Sequence, residues 1–310
     1  MRYVFIINPT AGKGTAQEII VSQIKEYFGE RKDFKIYITE YSGQATEIAR
    51  SEAQTGENIY FYACGGEGTA FEIINGIVDY PNAAMGVIPC GSANDFLKFY
   101  GHKEMFFDIG KSVEGREIIV DLIKADDVYC VNQCSVGIDA NIAEDMQMFK
   151  KWPLVSGKMA YNLSVIRNFL RKKITATLNI TIDGKKLGTR ECLFAVCANG
   201  PVYGGGYISA PHANPSDEKL DFTIIDSMPR FKIPKFIDKY AKGEQEQYDY
   251  CTTGNCSVME IESEEPFLIN LDGEITSKKK VRFEIVRRAL RFVVPTEIAE
   301  NIPKEMVKIK

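Results

Sequence analysis

The chain has 310 residues, of which 45% are hydrophobic and 26% charged, and its formal net charge is −4. This composition is that of an ordinary globular protein, long enough for two domains or one large one. The acidic balance argues against a dedicated nucleic-acid-binding protein, and no apolar run approaches the length of a membrane span. Residues 1–8 are too short for a signal peptide, and we expect a cytoplasmic protein.

Strand and helix patterns alternate over residues 1–122. The apolar spacing predicts strands at 4–7, 35–39, 59–63 and 85–89, and helices at 16–28, at 45–54 and after Thr69. Such alternation is typical of a parallel sheet with helices on both faces, whose ligands bind beyond the carboxyl ends of the strands. Three turns rich in polar or glycine residues follow predicted strands, and we expect them to converge: 8–14, 65–69 and 91–95.

The most informative of these turns is Gly65-Gly66-Glu67-Gly68-Thr69. It lies between a buried-strand pattern and a helical pattern, so its backbone N–H groups and the helix dipole suit a phosphate. Its three glycines let the backbone approach an anion closely. Neither a P-loop nor a Gly-x-Gly-x-x-Gly fingerprint is present. A tight strand–helix connection without a ligand is the alternative.

Short strand patterns replace the alternation after about residue 123. They predict strands at 127–134, 174–182, 191–198, 220–226, 256–262, 266–270, 281–286 and 289–294, with a hairpin at Asp183-Gly184. We therefore predict two domains. Residues 1–122 form an α/β domain with a parallel sheet, on which 296–310 pack back. Residues 123–295 form a mainly antiparallel β-sandwich.

Eight cysteines and two histidines, without a Cys-x-x-Cys pair, disfavour a structural zinc site. In one extended strand, Cys130 and Cys134 would lie about 13 Å apart. Cys251 and Cys256 could meet across a hairpin. Buried free thiols are the favoured interpretation.

A basic amphipathic insert is predicted at 146–173. Its residues 150–173 carry seven Lys or Arg side chains and no acidic one, interleaved with apolar and aromatic residues. Such a segment can lie on an anionic membrane surface, at about 1 kcal/mol per basic residue near the headgroups. A helix that covers the sandwich with a solvated basic face is the alternative, and the two are compatible.

Several motifs occur in a fixed order along the chain. They include Asn8-Pro9-Thr10-Ala11-Gly12, Gly65-Gly66-Glu67-Gly68-Thr69, Pro89-Cys90-Gly91-Ser92-Ala93-Asn94-Asp95-Phe96, Asn199-Gly200 with Gly204-Gly205-Gly206, and Asp272-Gly273-Glu274. In this order they resemble the diacylglycerol kinase catalytic family over nearly the full length. The chain is most similar to the small soluble bacterial lipid kinases, relatives of sphingosine kinases and more distantly of NAD kinases. The downstream motifs expected of an NAD kinase are not found.

The resemblance implies that Mg²⁺–ATP binds the first domain and a lipid alcohol the second. Glu274 matches the proposed general base, and Glu67 a carboxylate that contacts Mg²⁺–ATP; from its spacing alone, Asp272-Gly273-Glu274 is an acidic turn between strands. The positions that match nucleotide contacts are Asn8, Pro9, Thr10, Ala11, Gly12, Thr39, Gly65, Gly66, Glu67, Gly68, Thr69, Ala70, Phe71 and Ser92.

The resemblance also implies a structural Mg²⁺ in a loop before a strand, which matches 214–221 here. Asp217 would supply a carboxylate, and Asn214 and Lys219 backbone carbonyls. The loop has Glu218 after Asp217 where the family commonly has glycine, and a plain polar turn is the alternative.

Three positions depart from the family pattern: Glu67 replaces aspartate, Phe71 asparagine and Ser92 threonine. The expected function is that of an ATP-dependent lipid kinase at the membrane periphery, which phosphorylates diacylglycerol or a related lipid alcohol. Phosphatidylglycerol or a sphingoid or isoprenoid alcohol are alternative substrates, and a catalytically degenerate nucleotide- or lipid-binding regulator is the alternative to an enzyme. An exposed sheet edge could mediate a homodimer, and no nucleic-acid partner is expected.

Overall fold

The computed structural model describes residues 1–302, except 15, 91–93, 150–151, 153–154, 156 and 172. Its backbone divides into two compact units. The first comprises Met1–Leu122, Pro215–Glu218 and the chain from Val286 onward. The second comprises Ile123–Asn214 and Lys219–Ile285. The chain therefore passes from one unit to the other four times.

The first unit is the α/β domain that the alternating pattern predicts. Its elements are β1 (Arg2–Ile7), α1 (Ala16–Phe28), β2 (Phe34–Ile38), α2 (Gln44–Ala53), β3 (Ile59–Gly65), α3 (Glu67–Ile77), β4 (Ala83–Pro89), α4 (Ile109–Val113) and α8 (Thr296–Ala299), with parts of β5 (Arg116–Ala125) and β15 (Glu274–Val294). The strands β4, β3, β1 and β2 lie side by side in that order, all parallel, and Phe292 of β15 pairs with Met85 at the β4 edge.

The core of this unit explains why the central strands are almost entirely apolar. All residues of β3 and β4 are buried, because helices cover both faces of a parallel sheet. Phe5 stacks on Tyr62, and Phe28 of α1 packs edge-on against Phe5. Helix α3 begins at Glu67, three residues earlier than predicted. Only Gly65 and Gly66 of the predicted glycine turn therefore lie outside the helix.

The second unit is β-rich and antiparallel, which confirms the predicted fold class. Its elements are β6 (Val128–Cys130), β7 (Gln133–Gly137), α5 (Ile138–Phe149), α6 (Gly157–Leu170), β8 (Ala176–Ile182), β9 (Lys185–Ala198), β10 (Val202–Tyr203), β11 (Tyr207–Ile208), β12 (Leu220–Asp226), α7 (Ile233–Tyr240), β13 (Cys251–Cys256) and β14 (Val258–Leu271), with parts of β5 and β15. The order across the sheet is β13, β12, β9, β7, β14 and β15, and β8 pairs with both β9 and β14.

The predicted strand at 127–134 is wrong, because the chain breaks at Val131 and Asn132. Their N–H groups leave the strand ladder and donate to the carboxylate of Asp272. Because of this break, Cys130 and Cys134 lie on two separate strands, β6 and β7, and their thiols interact with each other. The separation of about 13 Å expected for one extended strand therefore does not apply.

The hairpin that could have brought Cys251 and Cys256 together does not form. Both residues lie on the single strand β13, which pairs along its whole length with β12. Cys256 interacts instead with the thiol of Cys197 on β9. All eight cysteines are free thiols, as predicted.

The strands near the carboxyl end are longer than predicted. The patterns at 256–262 and 266–270 lie on β13 and β14, and a register shift between Glu262 and Phe267 absorbs the interruption at Pro266. The patterns at 281–286 and 289–294 are both part of β15. Among the described residues, no helix is long and apolar enough to cross a membrane.

Candidate active site

Backbone hydrogen bonds join the carboxyl ends of four neighbouring strands in the first unit. Beyond β2, Thr39 N donates to Ile7 O at 2.9 Å; beyond β1, Asn8 N donates to Cys64 O at 3.0 Å. Beyond β4, Cys90 N donates to Gly65 O at 2.9 Å. The turns that follow β1 and β3, together with Thr39, are thereby brought to one edge of the sheet, where ligands of such sheets bind.

The turn after β1 is built by the side chain of Asn8. Its Oδ1 accepts from Thr10 N at 3.0 Å and from Thr10 Oγ1 at 2.8 Å, while Ala11 N donates to Asn8 O. This is the local hydrogen bonding that favours asparagine at the start of a turn. Gly12 has a φ of 60°, a conformation that glycine adopts without strain. Pro9 lies between these residues and supplies no N–H donor.

The turn after β3 depends on the absence of side chains. A Cβ on Gly65 would lie 2.3 Å from Oγ1 of the buried Thr69, so only glycine lets α3 start this close to the strand. Gly66 is the N-cap residue of α3, and no side chain caps that end of the helix. The N–H groups of the first turn, which includes Gly68, carry the positive end of the helix dipole and are suited to a phosphate.

Glu67 and Phe71 are the two described departures from the family pattern. Glu67 Oε1 accepts from Asp95 N at 2.9 Å, which ties α3 to the chain that follows β4. Phe71, half-buried on the next turn, has its carbonyl bonded to Nδ2 of Asn75. Ala70 is buried against the sheet. Ser92 lies outside the described residues, so its predicted contact stays a prediction.

The Asp-Gly-Glu motif forms the tip of a hairpin in the second unit. Leu271 of β14 pairs with Glu274 of β15, so Asp272 and Gly273 form a two-residue turn, here called turn 272–273. Their φ values are 49° and 99°, as the primed turns of tight hairpins require. The side chain of Glu274 begins directly after this turn and is exposed.

The carboxylate of Asp272 holds turn 272–273 against the break between β6 and β7. It accepts from the N–H groups of Val131 at 2.6 Å, Asn132 at 3.2 Å and Gln133 at 2.7 Å. Burial raises the pKa of Asp272 to about 6, because desolvation outweighs the three N–H groups that stabilise its charge. The carboxylate is therefore ionised at neutral pH, as an acceptor for three donors must be.

The predicted Mg²⁺ loop surrounds a carboxylate that sequence reasoning missed. Asp121 of β5, 1% exposed, accepts from Glu218 N at 2.8 Å and donates its own N–H to Pro215 O at 2.7 Å. Burial raises the pKa of Asp121, and the nearby carboxylates of Glu218 and Asp217 raise it further. The signal that could have found it is a lone aspartate inside the apolar run 118–123.

The donor set of this loop suits a hard cation only in part. Asp217 belongs to the first unit, whereas Asn214 and Lys219 belong to the second. Glu218 has a φ of 63°, a conformation that glycine adopts without strain. No group of three or more His, Cys, Asp and Glu side chains in the described part of the chain is arranged to hold a metal. Backbone carbonyls and water would have to complete any coordination sphere.

Both units match described families. Residues 2–125 match the diacylglycerol kinase catalytic domain, and residues 132–294 match the YegS C-terminal NAD kinase beta sandwich-like domain. A Shewanella frigidimarina protein named "Probable lipid kinase YegS-like" is 29% identical, over 74% of this chain and 75% of its own. A Bacillus subtilis diacylglycerol kinase is 24% identical, over 96% of this chain and 97% of its own.

Solved structures share the fold. A diacylglycerol kinase from Bacillus anthracis superposes with a TM-score of 0.71 at 22% identity, covering 96% of this chain and 98% of that chain. An NAD kinase from Archaeoglobus fulgidus, solved in complex with ATP, has a TM-score of 0.52 at 14% identity, covering 99% and 98%. The chain therefore belongs to the diacylglycerol kinase catalytic family, in the branch of bacterial lipid kinases whose second domain is of the YegS type.

Proposed function

We propose that this protein transfers the γ-phosphate of ATP to the hydroxyl group of diacylglycerol or a related lipid alcohol. The observation that carries the proposal is the turn after β3, where Gly65 and Gly66 bring the uncapped N-terminus of α3 to the sheet edge. The turn after β1 reaches the same edge. Donors that converge in this way suit the phosphates of a nucleotide. The B. subtilis relative named a diacylglycerol kinase supports the choice of acceptor.

Glu274 is the proposed general base. Its carboxylate would accept the proton of the lipid hydroxyl as that oxygen forms a bond to the γ-phosphorus and the bond to the ADP oxygen breaks. Mg²⁺ bound with ATP would offset the negative charge of the phosphates. Asp272 has a structural role, because both of its carboxylate oxygens accept hydrogen bonds from backbone N–H groups and so hold the turn.

The proposal includes a structural Mg²⁺ at the loop 214–219. Asp217 would supply a carboxylate, with carbonyl oxygens of Asn214 and Lys219 and water completing the coordination. Burial and the nearby carboxylates of Glu218 and Asp217 raise the pKa of Asp121, and a cation at the loop would favour its charged form.

We also propose that the protein works at the surface of an anionic membrane, through α6 and the segment after β12. Three apolar side chains of α6 are strongly exposed: Met159 (48%), Ile166 (56%) and Leu170 (75%). Phe231, 80% exposed, lies next to Arg230, whose guanidinium donates to Arg171 O at 2.5 Å. Exposed apolar side chains with basic neighbours are typical of helices that lie in the headgroup region.

Two of the arginines in this region support the alternative interpretation, in which α6 is a structural helix that covers the sandwich. Asp145 of α5, nearly buried, pairs with Arg167 at 3.2 Å and with Arg171 at 3.3 Å. These pairs fasten α6 to α5. Lys150, Lys151 and Lys172 lie outside the described residues, so the membrane proposal depends on the apolar side chains and on Phe231.

The test is transfer of labelled phosphate from Mg²⁺–ATP to a panel of lipids in mixed micelles. Glu274→Gln should lower the rate about 10²- to 10⁴-fold, the usual worth of a general base. The exposed Glu264 of β14 offers a matched control, because Glu264→Gln makes the same chemical change away from turn 272–273. Equal rates for Glu274→Gln and the control would remove Glu274 as the base.

The same panel separates the alternatives. Transfer to phosphatidylglycerol or to a sphingoid or isoprenoid alcohol, but not to diacylglycerol, would keep the mechanism and change the substrate. ATP binding without transfer to any lipid would support a regulator that has lost activity through Glu67 and Phe71. In that case Glu67→Asp combined with Phe71→Asn should restore transfer.

A further inference from the structure

Turn 272–273 is held by side chains from two directions besides Asp272. Asn270, two residues earlier on β14, accepts from Gly273 N through its Oδ1 at 2.7 Å. Gln147, in the last turn of α5, donates from Nε2 to Gly273 O at 2.8 Å. Both polar groups of the Gly273 backbone are therefore bonded to side chains. Glu274 is the next residue along the chain.

The side chain of Asn270 in turn interacts with Asp139. Burial raises the pKa of Asp139, at the start of α5, and hydrogen bonding from the Asn270 side chain opposes that rise. The carboxylate of Asp139 also accepts from Tyr203 Oη at 2.8 Å and from Ser135 Oγ. These contacts leave the Asn270 amide one orientation, with its nitrogen toward Asp139 and its oxygen toward Gly273 N, because a carboxylate only accepts.

Helix α5 thus supports the turn from both of its ends. Asp139 in its first turn acts through Asn270, and Gln147 in its last turn acts directly. Nothing lies within 4 Å of a Cβ built on Gly273, so side-chain packing does not restrain the turn there. Any rocking of the turn about the ends of β14 and β15 is opposed by the hydrogen bonds of Asp272, Asn270 and Gln147. The contacts limit that motion in a hairpin tip that is otherwise exposed.

We propose that Asn270, backed by Asp139, and Gln147 are positioning residues, which hold turn 272–273 so that the carboxylate of Glu274 stays in place for proton abstraction. The proposal rests on the proposed function of Glu274. A displacement of about 1 Å at a reacting group can cost up to about 10²-fold in rate, so small movements of the turn matter. None of these side chains needs to touch the substrate to have this effect.

The experiment uses Gln147→Leu in the full-length protein, because leucine keeps much of the volume and removes the donor. Gln247 is a matched control: it is also exposed, and its Nε2 donates to the backbone carbonyl of Glu244 at 2.6 Å. We expect Gln147→Leu to lower kcat about 10-fold, with KM for ATP and for lipid unchanged. Gln247→Leu should behave as wild type. Asn270→Leu should lower kcat further. If Asn270→Leu does not fold, the result for Gln147→Leu alone tests the proposal.

A double-mutant cycle with Glu274→Gln tests whether Gln147 acts through the base. If it does, Gln147→Leu should have no further effect on the residual rate of Glu274→Gln, because the group it positions is gone. An equal loss in both backgrounds would overturn the proposal. So would a kcat for Gln147→Leu equal to that of Gln247→Leu.

Backbone hydrogen exchange gives a readout that does not depend on activity. The amides of residues 271–276 should exchange faster in Gln147→Leu than in Gln247→Leu or wild type. Unchanged exchange would overturn the positioning role even if kcat fell. A wild type without activity on any lipid would refute the function of Glu274 and the catalytic part of this inference, whereas faster exchange would still establish the contact as one that restrains the turn.

Discussion

Two aspartates of the second unit stand at the same place in Asp-Gly turns but are used differently. Asp183, with a φ of 47°, accepts from Ser257 N at 2.9 Å and Val258 N at 2.8 Å through Oδ1 alone. Asp272 uses both oxygens to accept from three N–H groups. Both aspartates look alike in the sequence. Only the second needs to be a carboxylate, because an amide has one accepting oxygen.

The difference predicts the effect of asparagine at each position. Asp272→Asn should destabilise the protein by about 2 kcal/mol, the worth of a hydrogen bond to a charged group, since an NH₂ group would face N–H donors. Asp183→Asn should cost less than about 0.5 kcal/mol, because its oxygen can replace Oδ1. Asparagine tolerates the positive φ in both turns, so the backbone contributes little. Urea unfolding at pH 7.5 measures both, and equal values would contradict the role assigned to Asp272.

At the scale of single elements, α6 shows how one sequence pattern can serve two purposes. Its buried face carries Ser164 and Asn168, and Asn168 donates to Asp145 at 2.7 Å. Its exposed face carries Ile166 and Leu170. A helix that only covered a core would expose polar side chains on that face. A lipid surface is the partner that we propose for these two apolar side chains.

The double variant Ile166→Glu with Leu170→Glu tests that assignment. Sedimentation with vesicles that contain phosphatidylglycerol should show binding weakened at least about 10-fold, because two apolar contacts are lost and two negative charges are added. Ile19 of α1 is 57% exposed, nearly the same as Ile166, and Ile19→Glu is the control for the change itself. If the control weakens binding as much as the double variant, α6 is not the membrane contact.

At the scale of the whole molecule, the first unit is not continuous in sequence. Arg291 of β15 donates to both oxygens of Glu117, at 2.6 and 2.8 Å, and Glu117 also accepts from Tyr60 Oη at 2.8 Å. The glutamate is only 8% exposed, so it depends on that cation. Phe292, fully buried, pairs with Met85 of β4. The α/β sheet is therefore finished by residues that lie after the entire second unit.

This arrangement predicts that residues 1–122 will not fold alone. The fragment leaves the carboxylate of Glu117 buried without its cation, at a cost of about 3–5 kcal/mol, and exposes the β4 edge. Its urea unfolding should be non-cooperative. The same fragment joined through a glycine–serine linker to residues 286–302 should unfold cooperatively. A cooperative transition in the bare fragment would show that β15 is not needed to complete the unit.

The sequence was most informative where local pattern and burial agree. Helix α1 has the predicted bounds, 16–28, because it has one apolar face. Strand β12 has the predicted bounds, 220–226, because it is a run of residues buried on both sides. The glycine turn after β3 was recognisable for a related reason. The contact of Gly65 with Thr69 joins residues four apart, so short-range spacing already contains it.

By itself, then, the sequence determined the fold class, the family and the motifs at the strand ends, since periodicity and motif order are properties of neighbouring residues. Only the tertiary structure decided the break at Val131, the support of turn 272–273 by Gln147, and the carboxylate of Asp121 beneath the loop 214–219. Each of these joins residues about 100 or more positions apart, and the long-range pairing that brings them together leaves no local pattern.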